Sequence, residues 1–251
     1  MNLKDYIASN LNEEQTLAAL HTKTSSLIIA GAGSWKTRVL TYKIAYLIRG
    51  LQLPVQRILA VTFTNKAANE MKERLIKLGD EILSQNFDQG NSQEKADSGD
   101  LSDFLSEMQS SAKIQKGLEA RELKWIGTFH SIFLKILKED IEALGRKFTK
   151  NFWILDSDDS SKIIRDLLKR FALNDTFKPQ EVKGFISTQK NNGNTAELFL
   201  KHANGNYEAS MGKLYQEYEK ELEKANSLDF DDLLLLPYLL FKQDEKILKK
   251  W

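Results

Sequence analysis

The stretch Ser-Ser-Leu-Ile-Ile-Ala-Gly-Ala-Gly-Ser-Trp-Lys-Thr-Arg at residues 25–38 constrains this chain more than any other. Residues 27–30 are apolar and predict a buried strand. Gly31, Ala32, Gly33, Ser34 and Trp35 form a glycine-containing loop after Ala30. Lys36, Thr37 and Arg38 then open a helix with apolar positions at Val39, Leu40, Ile44, Leu47 and Ile48. Strand, loop, Lys-Thr and helix in this order predict a loop that cradles phosphate. Backbone N–H groups of such a loop and helix start point at phosphate oxygens. Lys36 is placed to neutralise the outer phosphates, and the Thr37 hydroxyl to sit on Mg²⁺. Two positions depart from the pattern. Ala30 replaces its first Gly, and Trp35 stands where a Gly lets the backbone come close to a phosphate. The ordinary alternative is a strand-to-helix turn that binds nothing.

With 251 residues the chain is long enough for one large or two small domains. Lys plus Arg number 36 and Asp plus Glu 35, so net charge points to no partner class, although a balanced total can hide a basic face. The absence of Cys argues against a disulfide scaffold or a thiolate metal site and fits a reducing, cytoplasmic setting. His21, His130 and His202 are too widely spaced for a metal pattern. The N-terminus lacks a signal-peptide core, and the apolar run at 233–241 is too short to span a bilayer, so no membrane is implied.

Asn12 followed by Gln15 predicts a capping box at the first helix of the chain. Gln15 has an equal second reading, since its amide can both donate to and accept from an adenine. Residues 57–63 predict a second strand, residues 67–78 a helix ended by Gly79, and residues 123–127 a third strand. Alternating strands and helices imply a parallel sheet, with ligands at the carboxyl ends of its strands. Phe63, Thr64, Asn65 and Lys66 fall at one such end, and Thr128, Phe129, His130 and Ser131 at the next, both read as loops. Each set could stack a base and hold a phosphate. Taken alone, each is more simply a solvated loop or a structural histidine.

Residues 82–120 are polar and acidic and predict a disordered insertion, with weak helix over 101–118. A helix over 132–144 closes at Gly145. Phe152 to Asp156 superficially matches a strand followed by a Mg²⁺-binding Asp, but the residues after Asp156 fit a capped helix start better. The chain is then helical to Asn226. Asp229, Asp231 and Asp232 invite a metal hypothesis, yet acids opening a helix are explained by its dipole. Pro237 is expected to kink or divide that helix.

These pieces, in order, resemble the N-terminal part of the UvrD/PcrA/Rep group of superfamily 1 DNA helicases. The carriers are Leu11-Asn12-x-x-Gln15, residues 30–38, Val61 to Met71, Gly127 to Ser131 and Leu228 to Leu233. The resemblance covers nearly the whole chain outside 82–120. It implies an α/β fold: an incomplete RecA-like P-loop parallel sheet with an inserted all-helical subdomain. Residues 1–145 would be the first RecA-like domain, 146–226 the helical subdomain, and 227–251 the return into the RecA-like domain. ATP and Mg²⁺ are the implied cofactors, with Gln15 and Arg38 at the adenine and residues 30–37 at the phosphates. Single-stranded DNA, or DNA with a 3′ single-stranded tail, is the implied partner. Residues 63–66 and 128–131 would touch it while ATP drives 3′-to-5′ stepping. The chain stops before the family's Asp-Glu motif and second RecA-like domain, so the resemblance implies a piece that is inactive alone. Two other readings stay open: a non-enzymatic single-strand-binding module with a defective nucleotide site, and a small P-loop kinase or transferase.

Overall fold

The computed structural model describes residues 2–31, 35–85 and 118–251. It divides into two compact units, Met1–Thr128 and Phe129–Trp251. Short parallel sheets within a mainly helical chain are compatible with an incomplete α/β fold of RecA-like type.

In the first unit, α1 (Leu3–Asn10) and α2 (Glu13–Leu20) each begin with a capping box. In α2 the Asn12 side chain accepts from the Gln15 N–H at 2.8 Å, and Gln15 Oε1 accepts from the Asn12 N–H at 3.3 Å. The two reciprocal bonds satisfy donors that a helix start otherwise leaves open. Helix α3 (Lys36–Ala45) continues into one π-turn, Tyr46–Gly50. Its buried face, Val39, Tyr42 and Ala45, packs with Ile7, Leu11 and Ala19. Lys43 Nζ donates to the carbonyls of Ala18 and His21 at the end of α2, tying the two helices together.

Strand β1 (Ala60–Thr62) pairs in parallel with β2 (Ile126–Thr128), placing Ala60 opposite Ile126 and Thr62 opposite Thr128. Helix α4 (Asn65–Ser84) covers this pair through Met71 and Leu75, which pack with Leu123 and Ile126. A fully buried Leu such as Leu75 stabilises by about 1.5–3 kcal/mol.

The structure departs from the pattern of the sequence at several places. Residues 27–30 form no strand, and Leu27 and Ile29 are exposed. A strand exists only as part of a hydrogen-bonded ladder, and the described ladder of this unit, β1 with β2, does not reach them. The second strand is confined to three residues because Val55–Arg57 coils into a 3₁₀ turn. Gly79 does not end α4. It lies buried inside the helix, where an added Cβ would come 3.2 Å from Leu118 Cδ1. The glycine is there for close packing. Residues 128–131 are not a loop, because β2 ends at Thr128 and a helix starts at Phe129. The insertion expected at 82–120 begins inside α4, and its residues 86–117 lie outside the described residues.

The second unit opens with α5 (Phe129–Asp140), a 3₁₀ turn, Ile141–Leu144, and Gly145 at φ 67°. The short strand β3 (Trp153–Ile154) pairs in parallel with β4 (Ser227–Leu228). Between them run α6 (Ser157–Arg170), α7 (Pro179–Asn191), α8 (Ala196–His202) and α9 (Gly205–Lys224). Asp156 caps α6 as expected, accepting from the N–H groups of Asp158 and Asp159 at 2.8 Å each. Ile164, Leu167, Val182, Ile186, Leu214 and Tyr215 form the centre of this helical core. The chain closes with α10 (Asp232–Gln243) and α11 (Glu245–Lys250). Pro237 lies buried within α10 and does not divide it.

Candidate nucleotide and nucleic-acid sites

The phosphate-loop stretch is described at its two ends, while Ala32, Gly33 and Ser34 lie outside the described residues. Trp35 is the N-cap residue of α3 and adopts φ 60°, ψ 25°. This left-handed conformation suits Gly and costs an ordinary L-residue about 1–2 kcal/mol. The backbone at position 35 is therefore one that favours Gly, a reason additional to close approach. The indole is 59% exposed, so it is not needed to fill a core.

No side chain caps α3 among the described residues. Lys36 and Thr37, in its first turn, are exposed. Lys36 Nζ curls back to donate to Ala30 O at 2.6 Å and Gly31 O at 3.1 Å. Those carbonyls are a substitute for an anion, and an outer phosphate would be a better partner for an ammonium. The backbone N–H groups of a helix start, with a lysine and a threonine hydroxyl in its first turn, are a donor set that fits a nucleotide phosphate with its Mg²⁺. Arg38 Nη2 donates to Asn10 O at 3.0 Å, which anchors it against the turn leading to the Asn12–Gln15 cap. Its guanidinium also lies 5.3 Å from the Trp35 ring centroid and 5.7 Å from that of Tyr42. Gln15 has its carbonyl oxygen in the capping box.

At the carboxyl end of β1, Phe63 is 90% exposed. Thr64 is the N-cap of α4 and accepts from the Ala67 N–H at 3.1 Å, which gives its hydroxyl a structural role. Asn65 and Lys66 are exposed in the first turn. At the end of β2, Thr128 is buried and Ser131 half-buried. Phe129 packs against Phe133 with centroids 6.3 Å apart. His130 stacks on Phe230, with ring centroids 4.0 Å apart and planes at 23°. Burial holds the His130 imidazole below its usual 6.5, with Asp231 opposing. Phe230, which was not among the site residues expected from the sequence, is 58% exposed and sits among the acids at 229–232.

Those acids do not gather a metal. Lys190 Nζ, fully buried, donates to Asp229 Oδ2 at 2.8 Å and Asp232 Oδ1 at 2.7 Å. Glu219 Oε1 is also 2.7 Å away, close enough for a strong charge interaction but outside hydrogen-bond geometry. The ammonium occupies the place a cation would take. Tyr218 donates to Asp229 Oδ2 at 3.0 Å, and Arg146 Nη1 to Glu219 Oε2 at 3.3 Å. Asp229 and Asp232 each accept from the other's N–H, at 2.9 and 3.0 Å. Burial opposes charge on Lys190, but the surrounding carboxylates win and raise its pKa well above the usual value. Burial and the Asp229 charge push Asp232 up. Lys190 was missed because a lone lysine on a helix reads as solvated. The spacing of Asp229 and Asp232 before an apolar run was the available signal.

A pocket of about 420 Å³ lies against this turn, lined in part by Leu155, Asp156, Ile164, Lys183, Phe230 and Asp231. With Asp229, its lining carries three aspartates against one lysine, a balance that repels phosphate. Lys183 is held by the Ser157 carbonyl at 2.8 Å. The pocket is not a nucleotide site.

Among the described residues no helix is long and apolar enough to cross a membrane. Comparison with known proteins gives one consistent result. The family described as UvrD/REP helicase N-terminal domain matches residues 11–251. An ATP-dependent DNA helicase PcrA from Bacillus subtilis (strain 168) is 36% identical over 248 residues, covering 98% of this chain and 28% of the relative. PcrA from Leuconostoc citreum is 32% identical over 246 residues, covering 98% of this chain and 28% of the relative. PcrA from Staphylococcus aureus (strain Mu50) is 33% identical over 245 residues, covering 97% and 28%. The chain thus spans 28% of the length of these curated relatives. On the extent of the family match, the chain belongs to the UvrD/REP helicase N-terminal domain family.

Proposed function

We propose that this chain is the nucleotide- and single-stranded-DNA-binding part of an ATP-dependent 3′-to-5′ DNA helicase, with a nucleotide site weakened by Trp35. The observation that carries the nucleotide reading is the exposure of Lys36 and Thr37 together in the first turn of α3, with no side-chain cap there among the described residues. Residues 30–37 hold the phosphates, Lys36 neutralises them, and Thr37 holds Mg²⁺. Gln15 and Arg38 serve the adenine end. Bound MgATP supplies the free energy of stepping. Residues 1–145 act as the first RecA-like domain, 146–226 as a helical subdomain inserted in it, and 227–251 as the return.

DNA contact falls to Phe63 and Lys66 after β1 and to Phe129, His130 and Ser131 after β2. Thr64, Asn65 and Thr128 shape these ends. The exposed ring of Phe230, stacked on His130, extends the second aromatic surface. Aromatic faces stack bases without regard to sequence, and a cation beside them follows the phosphates.

One observation favours a second reading, a single-strand-binding module that no longer uses nucleotide. Trp35 takes a left-handed backbone that favours Gly. The two readings separate in one experiment, which measures MgATP binding by calorimetry and oligothymidylate binding by fluorescence anisotropy on the same preparation. Weak MgATP binding abolished by Lys36→Ala supports the first reading. DNA binding with no MgATP binding supports the second.

A further inference from the structure

The turn 229–232 is gripped at three of its four positions by two consecutive residues of α7. Lys190 holds Asp229 and Asp232 from inside the core. Asn191, exposed, donates from Nδ2 to Asp231 Oδ1 at 3.0 Å. Phe230 is the fourth position, and its ring points outward onto His130. Asp229 and Asp232 also cap one another's backbone, so the turn has little freedom to rotate Phe230 away. The grip is not needed to neutralise Asp231, which is partly open to water.

We propose that Lys190 and Asn191 are positioning residues for the Phe230–His130 stack, so that the last turn of α7 sets how that aromatic pair meets single-stranded DNA. The claim rests on the DNA reading above for its consequence but not for its geometry. A buried lysine locked between two aspartates transmits any displacement of α7 directly to residues 229 and 232. A solvated lysine would not, because its side chain would absorb the movement. The helical region thereby controls a DNA contact that its own residues do not make.

The test uses the whole chain and two readouts. The first is the NMR position of the His130 imidazole protons, which the Phe230 ring current moves upfield. The second is affinity for a short oligothymidylate. Phe230→Ala sets the limit for both, with the shift lost and affinity reduced roughly tenfold, the scale of one base stack. Lys190→Met is expected to move both readouts most of the way to that limit, and to add nothing in the Phe230→Ala background. Asn191→Ala and Asp231→Ala, at accessible positions, are expected to move them part of the way. Asp231→Asn keeps an acceptor for Asn191 and, with the imidazole read at a pH where it is neutral in every variant, is expected to leave both readouts in place. Folded Lys190→Met with an unchanged imidazole shift overturns the proposal. If Lys190→Met does not fold, unchanged shifts in both Asn191→Ala and Asp231→Ala overturn it. If Phe230→Ala binds DNA as well as the parent chain, the DNA reading of this pair fails, while the imidazole shift still decides the positioning claim.

Discussion

The Arg38 guanidinium lies 5.3 Å from the centroid of the Trp35 indole, while its Nη2 donates to Asn10 O at 3.0 Å. One arginine thus links the opening of α3 to the segment that carries the Gln15 cap. A charged hydrogen bond of this kind contributes roughly 1.5–3 kcal/mol and an exposed cation–π contact about 0.5–1. Arg38→Ala should therefore lower stability by about 2–4 kcal/mol in urea titration. Replacement without any change in midpoint would show that these contacts are incidental.

Phe63 and Lys66 are exposed, so changing them should leave folding intact. Phe63→Ala should weaken oligothymidylate binding by about 1–3 kcal/mol. Lys66→Ala should weaken it at low salt and reduce the slope of log affinity against log salt by about 1. Unchanged binding in both variants assigns this strand end a structural role only.

Lys190→Met removes the cation that faces Asp229, Asp232 and Glu219 together, leaving Arg146 on Glu219 alone. Breaking a buried ion pair from one side costs about 3–5 kcal/mol. Lys220, in an exposed pair with Glu217, is the contrast, and its removal should cost about 0–1 kcal/mol. Thermal melts of the two variants should differ widely. Equal melts would mean that water reaches the Lys190 site.

The pH dependence of His130 follows from its burial under Phe230. Its imidazole lies below the usual 6.5 in the folded chain, so the folded state prefers it neutral. That preference stabilises fully above the unfolded value. It is lost as pH falls from there to the folded value, below which no further loss follows. Phe230→Ala should bring the NMR titration midpoint back up toward 6.5. Asp231→Asn should move it further down, because Asp231 is the charge that favours the imidazolium. A midpoint unmoved by Phe230→Ala would refute burial as the cause.

What was legible in the sequence was what is local. The Asn12–Gln15 box and the Asp156 cap are bonds among residues three apart or fewer, and both form as expected. The parallel order of two strands followed from the helix between them. Long-range contacts were not legible. Gly79 looks like a helix stop until Leu118 is seen against it. Residues 27–30 look like a strand, but a strand requires a neighbouring ladder that no local pattern specifies. Lys190 looks solvated because its carboxylates come from α9 and the start of α10. At position 35 the sequence indicated a conflict with close phosphate approach, and φ 60° adds a backbone reason for the same Gly.

The most direct measurement compares MgATP affinity for the parent chain and Trp35→Gly. Glycine relieves the left-handed strain of about 1–2 kcal/mol, offset by its own conformational entropy of about 0.5–1 kcal/mol and the lost Arg38 contact. The melting temperature should therefore shift little. The phosphate loop should regain close approach, and misplacement by about 1 Å is worth roughly 10²-fold, so a large gain in affinity is predicted. Equal MgATP affinities in the two proteins would contradict the account.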